Sequence, residues 1–241
     1  VEKSNMFLLD NEVDFYHVFQ PIVELRTKEV HGFELLLRSE QFKNPEHFFQ
    51  YAKEQNQLLQ VDMQSIKKAL LTLKKDNLSL QEIPFFINVF PSTLMDPLFY
   101  DHLEAILYEL HLQPNVIVFE ISEAEKVSDL TILKTVVERL KKKGFYIALD
   151  DIGKGESSLV SLLEIEPDIA KVDRYFAKDL STSSKKQRLI ELMVKLLGKE
   201  TMFILEGFET EADLNVAKSL GVEYGQGFFL GKPNSIHHYL A

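Results

Sequence analysis

The feature that most constrains this chain is a recurring unit: a short apolar run, then a polar cluster, then an amphipathic segment. It repeats along 241 residues. The runs are Val18–Leu25, Val30–Leu37, Phe85–Phe90, Val116–Ile121, Phe145–Leu149, Ile169–Val172, Met202–Leu205 and Phe228–Leu230. They are often β-branched or aromatic and nearly continuous, as strands buried on both faces are. Helical patterns with readable ends lie between them. Asp129–Lys143 has Ser128 as N-cap, lysines in its last turn and Gly144 just after. Glu211–Leu220 opens on the capping-box pattern "TEAD" with Thr210 as N-cap and stops at Gly221. Lys185–Leu197 and Asp62–Lys75 carry apolar residues at helical spacing. Alternating strands and helices predict an α/β fold with a parallel sheet covered by helices. About eight strands in a chain of this length suit a (β/α)8 barrel.

One junction breaks the pattern. The first two runs are separated only by "RTKE", Arg26–Glu29, whereas a parallel crossover takes roughly a dozen residues or more. These two strands should therefore form an antiparallel hairpin, making the barrel irregular at its start. The alternative is a doubly wound open sheet, which usually carries a Gly-rich phosphate turn after its first strand. No such turn follows the first run here.

Composition narrows the function. The formal net charge is −10, so long polyanions are repelled and a nucleic-acid polymer is not an expected partner. The absence of cysteine excludes disulfides, thiolate nucleophiles and Cys-based zinc sites. It is compatible with a reducing cytoplasm, the expected location. No run approaches the roughly 20 apolar residues of a membrane span, so no membrane contact is expected. The first residues read as mixed and acidic rather than as a signal peptide. A start at Val1 rather than Met is compatible with a piece of a longer protein.

Run after run ends in an oxygen or amine side chain. Glu34 lies in "GFELLLR", Asn88 follows "FFI", and Glu120 follows "VIVF" with Glu123 after it. Asp150 and Asp151 follow "YIAL", Lys171 and Asp173 close "DIAKVD", Glu206 follows "FIL" with Glu209 after it, and Gln226 precedes "GFFL". Barrel active sites gather at the carboxyl ends of the strands, so these acids should converge on one mouth. Uncompensated, they would repel one another and resist burial. A hard divalent cation removes that cost, and Asp, Glu and Asn oxygens suit Mg2+ or Mn2+. Adjacent carboxylates such as Asp150 and Asp151 can reach two ions. Taken singly, each residue has a plainer reading. An acid after a strand can cap a helix, Glu123 and Glu209 can be first-turn helix acids, Lys171 can pair with Asp173, and Arg38 can be a surface residue. The histidines show no metal-ligating i, i+4 spacing and read as structural or exposed. The coincidence of acids across several strands is what points to a site.

Together these residues resemble the EAL domain, the cyclic di-GMP phosphodiesterase family, from about Tyr16 to Pro233. "FQPIVELRTKEVHGFELLLR", "INVFPSTLMDP", "FEISEAE", "ALDDIGKGESSL", "PDIAKVDRYF", "LEGFETEADL" and "YGQGFFLGKP" follow in the family's order. The resemblance implies one domain over residues 1–241, with a modified TIM-like (β/α)8 barrel whose first strand is antiparallel. It implies that Glu34, Asn88, Glu120 and Asp150 hold one Mg2+ or Mn2+, and that Asp151 helps hold a second, with Asp150 shared. Lys171 would contact the attacking water or the phosphate charge, and Glu206 would act near the metals or as proton acceptor. Glu123 would position the loop after Asp151. Gln226 would orient water or substrate, Arg38 would grip a phosphate and Gln20 would line the groove. Asp173 and Glu209 are further substrate-binding candidates. The implied reaction is in-line attack of water on one phosphodiester of cyclic di-GMP, giving linear pGpG.

Three departures stand out: Leu35 where the family has Ala, Leu205 in "LEG", and "DDIGKGES" with Ile152, Lys154 and Glu156 in place of "DDFGTG" plus an aromatic. That loop in the family arranges the second metal and links paired subunits, so a homodimer is expected and turnover should be slow or dependent on pairing. A sensory or regulatory domain would lie outside this chain. The alternative functions are a catalytically weak or inactive cyclic di-GMP receptor and, last, a protein-interaction domain binding no nucleotide.

Overall fold

In a computed structural model describing residues 14–76, 78, 83–122, 125, 127, 129–154, 158–198 and 200–240, the first two strands form the hairpin that their short link demands. Strands β1 (Phe15–Glu24) and β2 (Val30–Ser39) pair antiparallel. Their connection is closed by Lys28 N–H donating to Glu24 O, with Lys28 itself at φ +65°. The remaining strands are β3 (Phe85–Val89), β4 (Ile117–Ile121), β5 (Tyr146–Ile152), β6 (Ile169–Val172), β7 (Met202–Leu205) and β8 (Tyr224–Gly225). They continue in chain order into a closed barrel. Neighbours from β2 to β8 pair parallel, and β8 closes antiparallel onto β1. The barrel with an antiparallel first strand is thus borne out.

The connecting helices are α1 (Pro45–Glu54), α2 (Leu58–Lys75), α3 (Pro91–Leu94), α4 (Phe99–Leu110), α5 (Leu130–Lys142), α6 (Ser158–Ile165), α7 (Arg174–Ala177), α8 (Ser184–Leu197), α9 (Glu211–Ser219) and α10 (His237–Leu240). Helix α5 is capped by Asp129, whose carboxylate accepts the Thr131 and Ile132 amides. The expected cap, Ser128, lies outside the described residues, as do Glu123 and Glu156. Thr210 caps α9 as expected, accepting the Asp213 amide. One strand expectation is corrected. Phe228–Leu230 forms a turn, and the final strand is Tyr224–Gly225. Apolarity alone misled there, because Phe228 and Phe229 are largely exposed.

Two apolar layers sit on either side of the sheet. The larger lies between strands and helices and includes Phe33, Phe85, Phe119, Leu149 and Leu205. The smaller plugs the barrel interior with Ile22, Phe86, Val118, Ala148, Ile169 and Ile204. Strand side chains alternate faces with period two. Two residues further toward the carboxyl end of each parallel strand, the next inward positions are Asn88, Glu120, Asp150, Lys171 and Glu206. On antiparallel β1 the count reverses, and Gln20 sits two residues before Ile22, opposite Glu34 in register. The polar layer therefore follows from the alternation that fills the barrel. Gly32, two residues before Glu34, has no room for more: a Cβ there would lie 2.7 Å from Pro84 O.

Helix α2 is tied to the end of β3 by a buried acid. Asp62 Oδ2 accepts the Phe90 amide at 2.9 Å. Burial pushes this carboxyl up to about 7, and the Phe90 hydrogen bond offsets that only in part. A carboxyl raised in the folded state stabilises the fold in its protonated form. That stability is fully present below the ordinary value of 3.8 and is lost as pH rises through about 7. Asp62→Asn keeps an acceptor for Phe90 but carries no charge. The expected outcome is a variant more stable than the parent at pH 8, by on the order of a few kcal/mol, with the difference shrinking toward pH 4. Urea midpoints of both proteins at the two pH values check this; an equal difference at both would reject it.

Candidate active site

Lys171 occupies the centre of the polar layer with none of its surface exposed. Its Nζ lies 2.6 Å from Glu120 Oε1, 2.8 Å from Glu206 Oε1, 3.2 Å from Asp150 Oδ1 and 3.3 Å from Glu34 Oε2. The ion pair with Asp173 is not what forms. Asp173 instead caps α7, its Oδ1 accepting the Tyr175 amide at 2.8 Å. Strand alternation explains the difference, since Lys171 points into the barrel and Asp173 begins the next segment.

Amide side chains stitch the acids together. Asn88 Nδ2 donates to Glu34 Oε1 at 3.2 Å and to Glu120 Oε2 at 3.1 Å. Gln226 Nε2 donates to Glu34 Oε2 at 2.7 Å, while its buried Oε1 has no hydrogen-bond partner. Glu120 Oε1 and Asp150 Oδ1 are likewise buried without a hydrogen bond and are held by Lys171 through charge. One ammonium facing four carboxylates leaves the site short of positive charge.

The proton affinities express that shortage. Burial, then the charge of Glu34, push the Glu120 carboxyl well above the usual range. Burial raises Asp150 as well, and it raises Glu206 to about 8, with Lys171 compensating only in part. Burial also opposes the charge on Glu34, but Lys171 and the hydrogen bonds from Gln226 and Asn88 outweigh it and hold that carboxyl low. Lys171 is itself raised: burial opposes its charge, and the surrounding acids more than restore it.

Asp151 reaches the site by a different device. Consecutive residues of a regular strand point to opposite faces, so Asp150 and Asp151 could not both face the mouth. The β5–β6 register runs Leu149↔Ala170 and then Ile152↔Val172, which leaves one extra residue on β5. Asp151 takes φ +57° at this bulge. Bulges re-aim side chains in this way, and a left-handed non-glycine residue is backbone strain held in place by its surroundings. As a result, oxygens of Asp150, Asp151 and Glu206 lie within 4.8 Å of one another, a grouping able to hold a metal ion. Asp151 Oδ2 also pairs with the mostly exposed Lys154 at 3.0 Å.

The cluster lies where two cavities meet. One, of about 470 Å3, is lined by Arg38, Phe49, Phe90 and Asn88 among others. The second, of about 370 Å3, includes Gln20, Asp173, Glu209 and Gln226. Both share Glu34, Asp151 and Lys154. Arg38 donates to Leu37 O and Gln20 to Gly231 O. Glu46 and Lys154 line both cavities and Arg174 lines the second, although none of the three was singled out from sequence as a binding residue. They sit on loops and helix starts, where no strand-end rule applies.

The family model of the EAL domain matches residues 6–233. Among curated proteins, the chain is 30% identical over 239 residues to the cyclic di-GMP phosphodiesterase RocR of Pseudomonas aeruginosa, covering 96% of this chain and 60% of that one. It spans about 30% of the length of several longer curated relatives. A standalone EAL protein from Vibrio cholerae O395, solved with c-di-GMP bound, superposes with a TM-score of 0.82 at 30% identity, covering 93% of this chain and 94% of that one. Klebsiella pneumoniae BlrP1, solved with manganese and cyclic di-GMP, gives a TM-score of 0.82 at 27% identity over 91% of this chain and 56% of that one. With the family model spanning nearly its whole length and its barrel matching solved members, the chain belongs to the EAL domain family.

Proposed function

We propose that this chain hydrolyses cyclic di-GMP to linear pGpG with the help of two divalent cations, Mg2+ or Mn2+. The observation that carries this reading is the ring of carboxylates at one barrel rim, completed by Asp151 through the β5 bulge. Named cyclic di-GMP phosphodiesterases among the relatives support it, as does the manganese in BlrP1. The donor set is all oxygen, suited to hard cations, and buried oxygens on Glu120 and Asp150 await a partner better than one lysine. Glu34, Asn88, Glu120 and Asp150 would hold one ion, with the Asn88 amide turned to present Oδ1. Asp150 and Asp151 would hold the second beside Glu206. Bound ions would supply charge to the phosphoryl oxygens and acidify a nearby water.

The chain's own groups do the rest. Lys171 donates to charge developing on the phosphoryl oxygens or steadies the incoming water. Glu206, facing Lys171 and Asp150, accepts the water's proton. Gln226 fixes Glu34 with its amide nitrogen and offers Oε1 to orient water. Arg38 grips a phosphate from the larger cavity, and Gln20, Asp173 and Glu209 line the path of the substrate. Glu123, outside the described residues, is carried over from the family resemblance as the residue that would position the loop after Asp151. A homodimer and a partner domain beyond this chain remain part of the proposal. Among the described residues no helix is long and apolar enough to cross a membrane.

One observation favours the slower reading, a receptor with weak turnover. Lys154 places an ammonium on Asp151, where the second cation would bind.

Pure protein incubated with cyclic di-GMP and Mn2+ should release pGpG, and chelation should stop it. Glu34→Ala, with the isosteric Glu34→Gln as a check on folding, should lower turnover roughly a hundredfold or more; unchanged activity in both variants would sink the assignment. Ca2+ should inhibit, because it favours looser, higher coordination. Tight binding of cyclic di-GMP without product would establish the receptor instead. Lys154→Ala should tighten the weaker of two Mn2+ sites severalfold, the modest scale being that of an exposed ion pair. Calorimetric Mn2+ titration of parent and variant reads this directly, and identical isotherms would remove Lys154 from the account.

A further inference from the structure

The alternation that lifts acids to the mouth also works in the other direction. Two residues toward the amino end from the plug residues Phe86, Ala148 and Ile204 come Pro84, Tyr146 and Met202. Together with Tyr224 they line a cavity of about 700 Å3 at the opposite end of the barrel, larger than either cavity at the mouth. Met202 and Tyr224 pack against the plug, so the plug stands between this cavity and the acid cluster. Tyr146 lies four residues before Asp150 on β5, roughly 13 Å along a strand. The amino-terminal face of such a barrel ordinarily serves stability, and an open chamber of small-molecule size adds none.

Its walls are aromatic. His31 and Tyr224 lie against each other with ring centroids 4.6 Å apart, and Tyr146 leaves 46% of its surface exposed. Burial lowers the proton affinity of His31, so that ring is uncharged at neutral pH.

The charge around these rings is negative. The described lining residues include Asp168, Glu200 and Glu223 but no Lys or Arg. Asp168 is already satisfied, with Oδ1 3.0 Å from Lys141 Nζ and Oδ2 accepting the Ile147 amide. Glu200 and Glu223 form no ion pair with a described residue. Glu24 stands opposite Tyr224 in strand register, and its ion-pair partner Arg26, 3.7 Å away, is 88% exposed and neutralises little. Tyr224 registers this field: burial, then the charges of Glu223 and Glu24, raise its phenol.

Aromatic faces carry negative charge density and attract cations, the more so where water is excluded. Carboxylates beside them repel anions and leave a neutral ligand with nothing to compensate. We propose that this cavity is a ligand site separate from the mouth, and that it takes a small organic ammonium ion with its charge against the Tyr146 and Tyr224 rings and the Glu223 carboxylate. The site is independent of the reaction at the other end of the barrel.

The probes are choline and its neutral carbon isostere, 3,3-dimethylbutan-1-ol, titrated by ligand-observed NMR in saturating Mg2+ so that the acid cluster does not compete. Choline should bind the parent at least about tenfold more tightly than the isostere. Tyr146→Leu and Glu223→Gln, both at exposed positions, should each weaken choline roughly 3- to 30-fold, and Tyr146→Phe should retain parent affinity. Glu34→Gln, at the mouth, should bind choline as the parent does. Equal affinity for the two probes, or a parent that binds neither, overturns the proposal. So does choline binding that survives Tyr146→Leu and Glu223→Gln unchanged, or that is lost in Glu34→Gln instead, since either result moves the cation to another place.

Discussion

Lys171 is the counter-charge that allows a polar layer to sit on an apolar one inside a closed barrel. Below it, Phe86, Val118, Ile169 and Ile204 seal the interior. Around it, Glu34, Glu120, Asp150 and Glu206 stand within ion-pair distance. Removing one partner from a buried ionic group usually costs about 3–5 kcal/mol, because the other is left uncompensated. Here the lysine is outnumbered, so the arrangement holds together while still demanding positive charge. Raised proton affinities at Glu120, Asp150 and Glu206 are the form this demand takes in the chain by itself. A site that binds protons unusually well for want of cations is well prepared to bind cations.

The barrel's regularity and its one irregularity divide the work. Period-two alternation lifts one side chain per strand to the rim and makes the ring. It cannot deliver two adjacent acids to the same side. The β5 bulge, with Asp151 in a left-handed conformation, breaks the alternation and gathers Asp150, Asp151 and Glu206 into one group. The antiparallel β1 serves a related purpose. By running against its neighbours it brings Gln20 opposite Glu34 at the rim, although Gln20 precedes Ile22 whereas Asn88, Glu120, Asp150, Lys171 and Glu206 each follow the interior residue of their own strand.

The mouth is chemically uneven. The larger cavity has apolar walls from Phe49 and Phe90 beside Arg38. Among the described residues, and glycines aside, the smaller is polar apart from Phe228. Their junction at Glu34 and Asp151 suits a ligand with two separated halves and a reactive centre between them. Lys154 borders both and pairs with Asp151, so this chain's departure from the usual loop lies beside the acid cluster.

Much of this was legible from residues alone. Short apolar runs ending in acids located seven of the strands and nearly every ring member, because burial on both faces leaves an unmistakable continuous pattern. The four-residue "RTKE" link dictated the antiparallel start, since no parallel crossover is that short. Phe228–Leu230 was misread as a strand because exposure, unlike hydrophobicity, is not a local property. The plainer reading of Lys171, a pair with its near neighbour Asp173, is the one that closure of the barrel rules out: it supplied Glu34, 137 residues away, and set Asp173 to cap a helix. Residue types and spacing determined which chemistry this chain could hold. Only the tertiary structure decided which groups share a charge, because through-space distance and burial, not order along the chain, set electrostatic coupling.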